Sequence, residues 1–79
     1  MNRKTYNAVM SGKSDSSIRF SDFQNLIVDL GFEYRRQDGS HIIYFHDLVK
    51  KAMNIQEDGS KAKDYQVKQL RKIIKECNL

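Results

Sequence analysis

The stretch from Gly31 to Ser60 decides the fold class, because turn signals cut it into three apolar-containing runs, each too short for a helix. Phe32-Glu33-Tyr34-Arg35-Arg36 alternates apolar and polar residues, the pattern of a half-buried strand. Asp38-Gly39 is a hairpin signal, read as a turn whose central residues both take positive φ. Ser40 to His46 forms the returning strand. Asp47 to Lys51 connects it to a further strand, Ala52 to Gln56, which ends at the turn Glu57-Asp58-Gly59-Ser60.

Helical signals flank this block. Arg3 to Met10 reads as a short helix with Tyr6, Val9 and Met10 on one side and Gly12 ending it, followed by a linker from Ser11 to Ser17. Ser21 and Gln24 fit a capping box, and Phe23, Leu26, Ile27 and Leu30 share one helical face, so a helix is expected over 21–30 with Gly31 as its left-handed terminator. Asp64 is placed to cap a last helix over 65–77. Its apolar stripe is Val67, Leu70, Ile74 and Cys77, and Lys68, Arg71, Lys72 and Lys75 line the other side. The expected fold is therefore α+β in the order α-β-β-β-α, a three-stranded antiparallel sheet with two helices on one face.

At 79 residues the chain has room for one domain and no deep cofactor cavity. Its apolar runs fall far short of the ~20 residues that cross a bilayer, and no apolar stretch follows the basic start to make a secretory signal. A lone Cys77 has no partner for an internal disulfide. These features fit a reducing cytoplasm. Residues 1–60 hold eight basic and eight acidic side chains, whereas 61–79 hold six basic and two acidic, so the whole net charge of +4 lies in the last quarter. A cationic surface concentrated there suits a polyanion, most often nucleic acid. Nothing resembles a metal-binding cluster: His41 and His46, five apart on one strand, point to opposite faces.

The α-β-β-β-α layout is similar to that of double-stranded-RNA-binding domains, and Lys61-Ala62-Lys63 resembles the lysine cluster those domains carry at the start of their last helix. Gly39-Ser40-His41, with Ile43, Tyr44 and His46 after it, carries a closer resemblance: it looks like the GSH-containing strand of HicA toxins. Ser11 to Asp15, Ile18-Arg19-Phe20, Leu30 to Glu33, Asn54-Ile55-Gln56 and Gly59 to Leu70 extend the similarity over nearly the full chain. Two positions depart from the family pattern: Ile42 stands where a second histidine usually follows the GSH, and Asp64 where proline is common.

The resemblance implies one HicA-like domain over 1–79, with 1–17 an extension and linker and 18–79 the core. It also implies a metal-independent endoribonuclease (an mRNA interferase) without cofactor, neutralised by a HicB-like antitoxin. It assigns catalysis to His41, presented by the turn at Gly39 and Ser40. Imidazole, with an ordinary pKa of ~6.5, suits removal of a proton from an attacking ribose 2′-OH. Lys61 and Lys63 are expected to contact RNA, with Lys68, Arg71 and Lys72 in a wider footprint and Arg35 and Arg36 as further phosphate ligands. Phe20 and Tyr65 are read as packing, and His46 as a strand-end residue. The competing function is a non-catalytic RNA-binding domain in which His41 is incidental. For His41 to meet RNA, Ile42 and Tyr44 must form the core pair and leave His41, Ile43 and Phe45 on the other face.

Overall fold

The computed structural model describes residues 1–79. Helices α1 (Arg3–Ser11) and α2 (Phe20–Asp29) precede strands β1 (Glu33–Asp38), β2 (His41–His46), β3 (Lys51–Asp58) and β4 (Lys61–Ala62), and α3 (Asp64–Cys77) closes the chain. The strands form one antiparallel sheet in the order β1-β2-β3-β4. The helices cover one side of it. Tyr44, Met53, Ile55 and Ala62 from the sheet meet Phe23, Leu26, Ile27, Val67, Leu70 and Ile74 from the helices. This is the expected α+β architecture, with the short helix expected from Arg3 formed as α1 and a fourth, two-residue strand added.

The addition has a local cause. The Glu57-to-Ser60 turn lies later than its composition suggests, because β3 runs on to Asp58 and Asp58 pairs with Lys61 across Gly59 and Ser60. The segment before α2 then joins the new edge: Ala62 donates to the Ile18 carbonyl and Phe20 to the Ser60 carbonyl, both at 2.9 Å. That bridge starts α2 at Phe20 with Arg19 as its N-cap, and no side chain caps it. Ser21 therefore does not cap the helix, and Gln24 instead donates to the Tyr44 hydroxyl at 3.3 Å. Likewise Asp64 is the first residue of α3 rather than its cap, a position Lys63 takes.

α1 belongs to the core. Val9 is fully buried. Arg71 of α3 donates to the Val9 carbonyl at 2.9 Å and forms a two-pronged ion pair with Asp15 at 2.8 and 3.1 Å, which fastens the Ser11–Ser17 segment to α3.

β1 departs most from its expected form. Phe32 is buried, but it precedes the strand, and every residue from Glu33 to Asp38 is exposed. β1 is an edge strand with β2 on one side only. The hairpin turn also lies one residue on from its signal. Asp38 pairs with His41, so Gly39 and Ser40 are the central residues, and of these only Gly39 has positive φ (60°). Glycine at the first central position is the usual requirement of the type II′ hairpin.

Candidate active site

Along β2, Tyr44 and His46 are buried toward the helices and Ile42 packs against the same core, so His41, Ile43 and Phe45 stand on the open face. Cross-strand partners share a face, so Asn54 and Gln56, opposite Ile43 and His41, join them. Asp38, opposite His41 on β1, joins them too. The exposed His41 ring contacts the Asn54 side chain through Nδ1, 3.0 Å from Oδ1. Its other nitrogen has no protein partner.

Ile42 accounts for one departure from the family pattern. It is directed to the helix side, so a histidine there would point away from His41, and its replacement removes nothing from the open face.

The basic residues sort into two groups. Gln56 ties the His41 hairpin to the start of α3: its amide donates to Ser40 Oγ at 2.8 Å, and its carbonyl oxygen accepts from Lys63 Nζ at 2.9 Å. The buried Gln66 side chain of α3 accepts from the Gln56 backbone N–H at 3.0 Å and fixes that helix end against β3. Lys61, opposite Asp58, lies on the same face as Gln56. Lys63 has no carboxylate within ion-pairing distance, so its charge is free to act on a ligand.

A bulge brings Arg35 and Arg36 to this face. The β1–β2 register slips between Tyr34 and Arg36, leaving Arg35 as the extra residue. Regular alternation would send two neighbouring arginines to opposite faces; a bulge re-aims one of them. Arg36 sits opposite Ile43, and the Arg35 guanidinium lies 5.3 Å from the centre of the Phe45 ring. Both are held by exposed ion pairs, Arg35 with Asp47 at 2.7 Å and Arg36 with Asp38 at 3.0 Å. Such pairs contribute about 0–1 kcal/mol, so a phosphate can displace them.

Lys68, Arg71 and Lys72 are placed differently. α3 packs on the covered side of the sheet, so the outer surface with Lys68 and Lys72 is a full layer away from His41. Arg71 does not belong to an unbroken cationic face. Its side chain is 17% exposed and committed to Asp15, and this bond raises its pKa. The same bond, the largest influence, holds the Asp15 carboxyl below its usual range, with the nearby charges of Arg71 and Lys68 adding to it.

The packing assignment of Tyr65 changes, whereas His46 is the last residue of β2, as expected. Tyr65 is exposed rather than packed, 57% open beside the Lys61–Lys63 segment. His46 is buried: its Nε2 lies 2.9 Å from the Leu30 carbonyl and its ring meets Phe32 edge-on at 5.2 Å. Asn54 and Gln56 enter the sequence reading only through the family resemblance and Asp38 only as a turn signal, none of them as a site residue. An asparagine in the middle of a strand, where its β-propensity is poor, was the available signal.

No three His, Cys, Asp or Glu side chains converge in a metal-binding arrangement, and no helix is long and apolar enough to cross a membrane. Comparison with curated proteins and with solved structures yields no match. The family model described as HicA toxin of bacterial toxin–antitoxin matches residues 20–79. That span takes in α2, the whole sheet and α3, including the histidine, amides and lysines assembled above, and on it the chain belongs to the HicA family, as the toxin of a toxin–antitoxin system.

Proposed function

We propose that the protein is an endoribonuclease cleaving mRNA on the open sheet face, with His41 transferring the proton and a HicB-like antitoxin covering that face to silence it. The observation that carries this reading is the state of His41: exposed, one ring nitrogen engaged by Asn54 and the other open to solvent, on a hairpin tied through Gln56 to an unpaired ammonium.

The chemistry follows from these groups. His41 accepts the proton of a ribose 2′-OH as its oxygen attacks the adjacent phosphorus. The P–O5′ bond breaks, leaving a 2′,3′-cyclic phosphate on one fragment and, after protonation, a 5′-hydroxyl on the other. Lys63 and Lys61 stabilise the charge that builds on the non-bridging oxygens. Arg36 and Arg35 hold neighbouring phosphates along the sheet, and Phe45 and Ile43 offer an apolar floor for an unpaired base. A metal ion has no step in this scheme. An acidic antitoxin surface laid over the cationic rim would block RNA without reaching into the protein.

The direct test uses RNA carrying a single 2′-deoxy substitution, together with a His41→Ala variant. A positioned general base contributes roughly a hundred- to ten-thousandfold, so His41→Ala loses that much activity and the substituted linkage stays intact. Undiminished cleavage by His41→Ala refutes the assignment. RNA binding that survives in a protein showing no cleavage would instead support the non-catalytic RNA-binding domain.

A further inference from the structure

We infer that Asn54 is the positioning residue for His41: its side-chain oxygen fixes the imidazole proton on Nδ1, so that Nε2 presents its lone pair to the substrate. The inference deepens the ribonuclease reading and rests on it.

Neutral imidazole carries one proton, and only the bare nitrogen can act as a base. In water the free side chain prefers the proton on Nε2, which would aim the lone pair along the sheet and leave the solvent-facing nitrogen unable to accept. Asn54 reverses that preference. Its Oδ1 is an acceptor only, so at 3.0 Å it calls for a hydrogen on Nδ1. Asn54 reaches the ring diagonally: its own cross-strand partner is Ile43, while His41 faces Gln56. Diagonal neighbours on one face of a sheet lie within reach of such side chains.

The cost of this residue to the strand supports a specific role. Asn54 is the sole asparagine in the four strands, flanked by the fully buried Met53 and Ile55. Asparagine is depleted from strands because it has little to offer a pleated, half-buried surface. A residue that opposes its local structure at an exposed position marks a functional constraint. Gln56, two residues on, provides the parallel case: its amide orients Lys63 as that of Asn54 orients His41.

The experiment pairs spectroscopy with kinetics on the full chain. Long-range nitrogen–proton correlation spectra of the neutral His41 ring report which nitrogen bears hydrogen. The expected result is the Nδ1–H form in the wild type and a return to mainly Nε2–H in Asn54→Ala. Cleavage by Asn54→Ala falls about ten- to a hundredfold in kcat with little change in KM, the scale of a misoriented catalytic group. Asn54→Asp keeps the acceptor and so keeps the Nδ1–H form; its added negative charge favours the imidazolium and moves the pH–rate profile to higher pH. A purely packing role would not move that profile. An Nε2–H ring in the wild type, or wild-type kcat in Asn54→Ala while His41→Ala is inactive, overturns the inference and leaves the ribonuclease reading standing. Full activity in His41→Ala ends both.

Discussion

β2 begins and ends with histidine, and its two sides treat them in opposite ways. His41 is exposed on the open face, held by one polar side chain and otherwise free. His46 is 5% exposed on the covered face, packed on Phe32 and bonded to the backbone of Leu30. Both lie on the same strand, so the difference comes entirely from the elements laid against each face. Which of the two imidazoles a ligand can reach is decided by whether the chain between α2 and β1 covers it.

The sharpest way to break that comparison is to exchange the consequences. His46→Ala removes a packed ring and leaves the Leu30 carbonyl without its donor, which together cost about 2–4 kcal/mol. Cleavage per folded molecule is expected to stay at the wild-type level. His41→Ala should do the reverse, abolishing cleavage while stability stays within about 0.5 kcal/mol, as for an ordinary surface change. Thermal or denaturant unfolding measured beside RNA cleavage separates the pair. A His46 variant that is stable but inactive would show that the covered face takes part in the chemistry.

Gly31 makes the burial of His46 possible, and it gives the next largest effect. It has φ +104°, and a Cβ there would lie 2.6 Å from His46 Nε2, the atom bonded to Leu30. Gly31→Ala therefore combines backbone strain with a clash, for about 2–3 kcal/mol. In a His46→Ala background the clash disappears and only the backbone strain remains, so the second substitution should cost about half as much. Denaturant midpoints for the two single variants and the double variant test this, and strict additivity would mean that the glycine is not needed for the ring.

These contrasts explain what could be read from the chain and what could not. The spacing of Phe23, Leu26 and Ile27 gave the buried face of α2, and the glycines at 31, 39 and 59 marked where the chain turns. Each depends only on near neighbours. Alternation along β2 reduced the sheet to two possible faces, but only the packing of Tyr44 and His46 against the helices selects one. The missed features all depend on distant partners. Asp15, 56 residues away in sequence, removes Arg71 from the cationic surface. Ser60 starts α2 early. Asn54, 13 residues downstream of His41, acts on it only because β3 lies beside β2. Charge counting located the basic excess but could not divide it between a sheet face and a helix back.

That division yields a smaller, more selective prediction. Lys63 is tied to the His41 hairpin through Gln56, whereas Lys68 and Lys72 lie on the outer side of α3. Lys63→Ala is expected to lower kcat about ten- to a hundredfold, less than loss of a fully enclosed oxyanion donor because the site is open to water. The Lys68→Ala/Lys72→Ala double variant should leave kcat alone and only flatten the dependence of binding on salt. Equal losses in both variants would mean that RNA wraps from the sheet onto the helix layer.

The Asp15–Arg71 pair gives the smallest expected effect and marks the boundary between the two regions. Arg71 holds the folded-state pKa of Asp15 below its ordinary value. A depressed carboxylate pKa contributes stability above the unfolded value, ~3.9, and that contribution fades as pH falls through the lower folded value. Asp15→Asn should therefore cost about 1 kcal/mol at neutral pH, and the gap from the wild type should close in strong acid, where both chains carry a neutral side chain at 15. Because the pair joins the segment after α1 to α3 behind the sheet, cleavage should not change. Urea titrations at neutral and acid pH, paired with cleavage at neutral pH, measure both. If freeing Arg71 by Asp15→Asn raises RNA affinity, the guanidinium is a phosphate ligand kept in reserve, and the covered layer contributes to the functional surface after all.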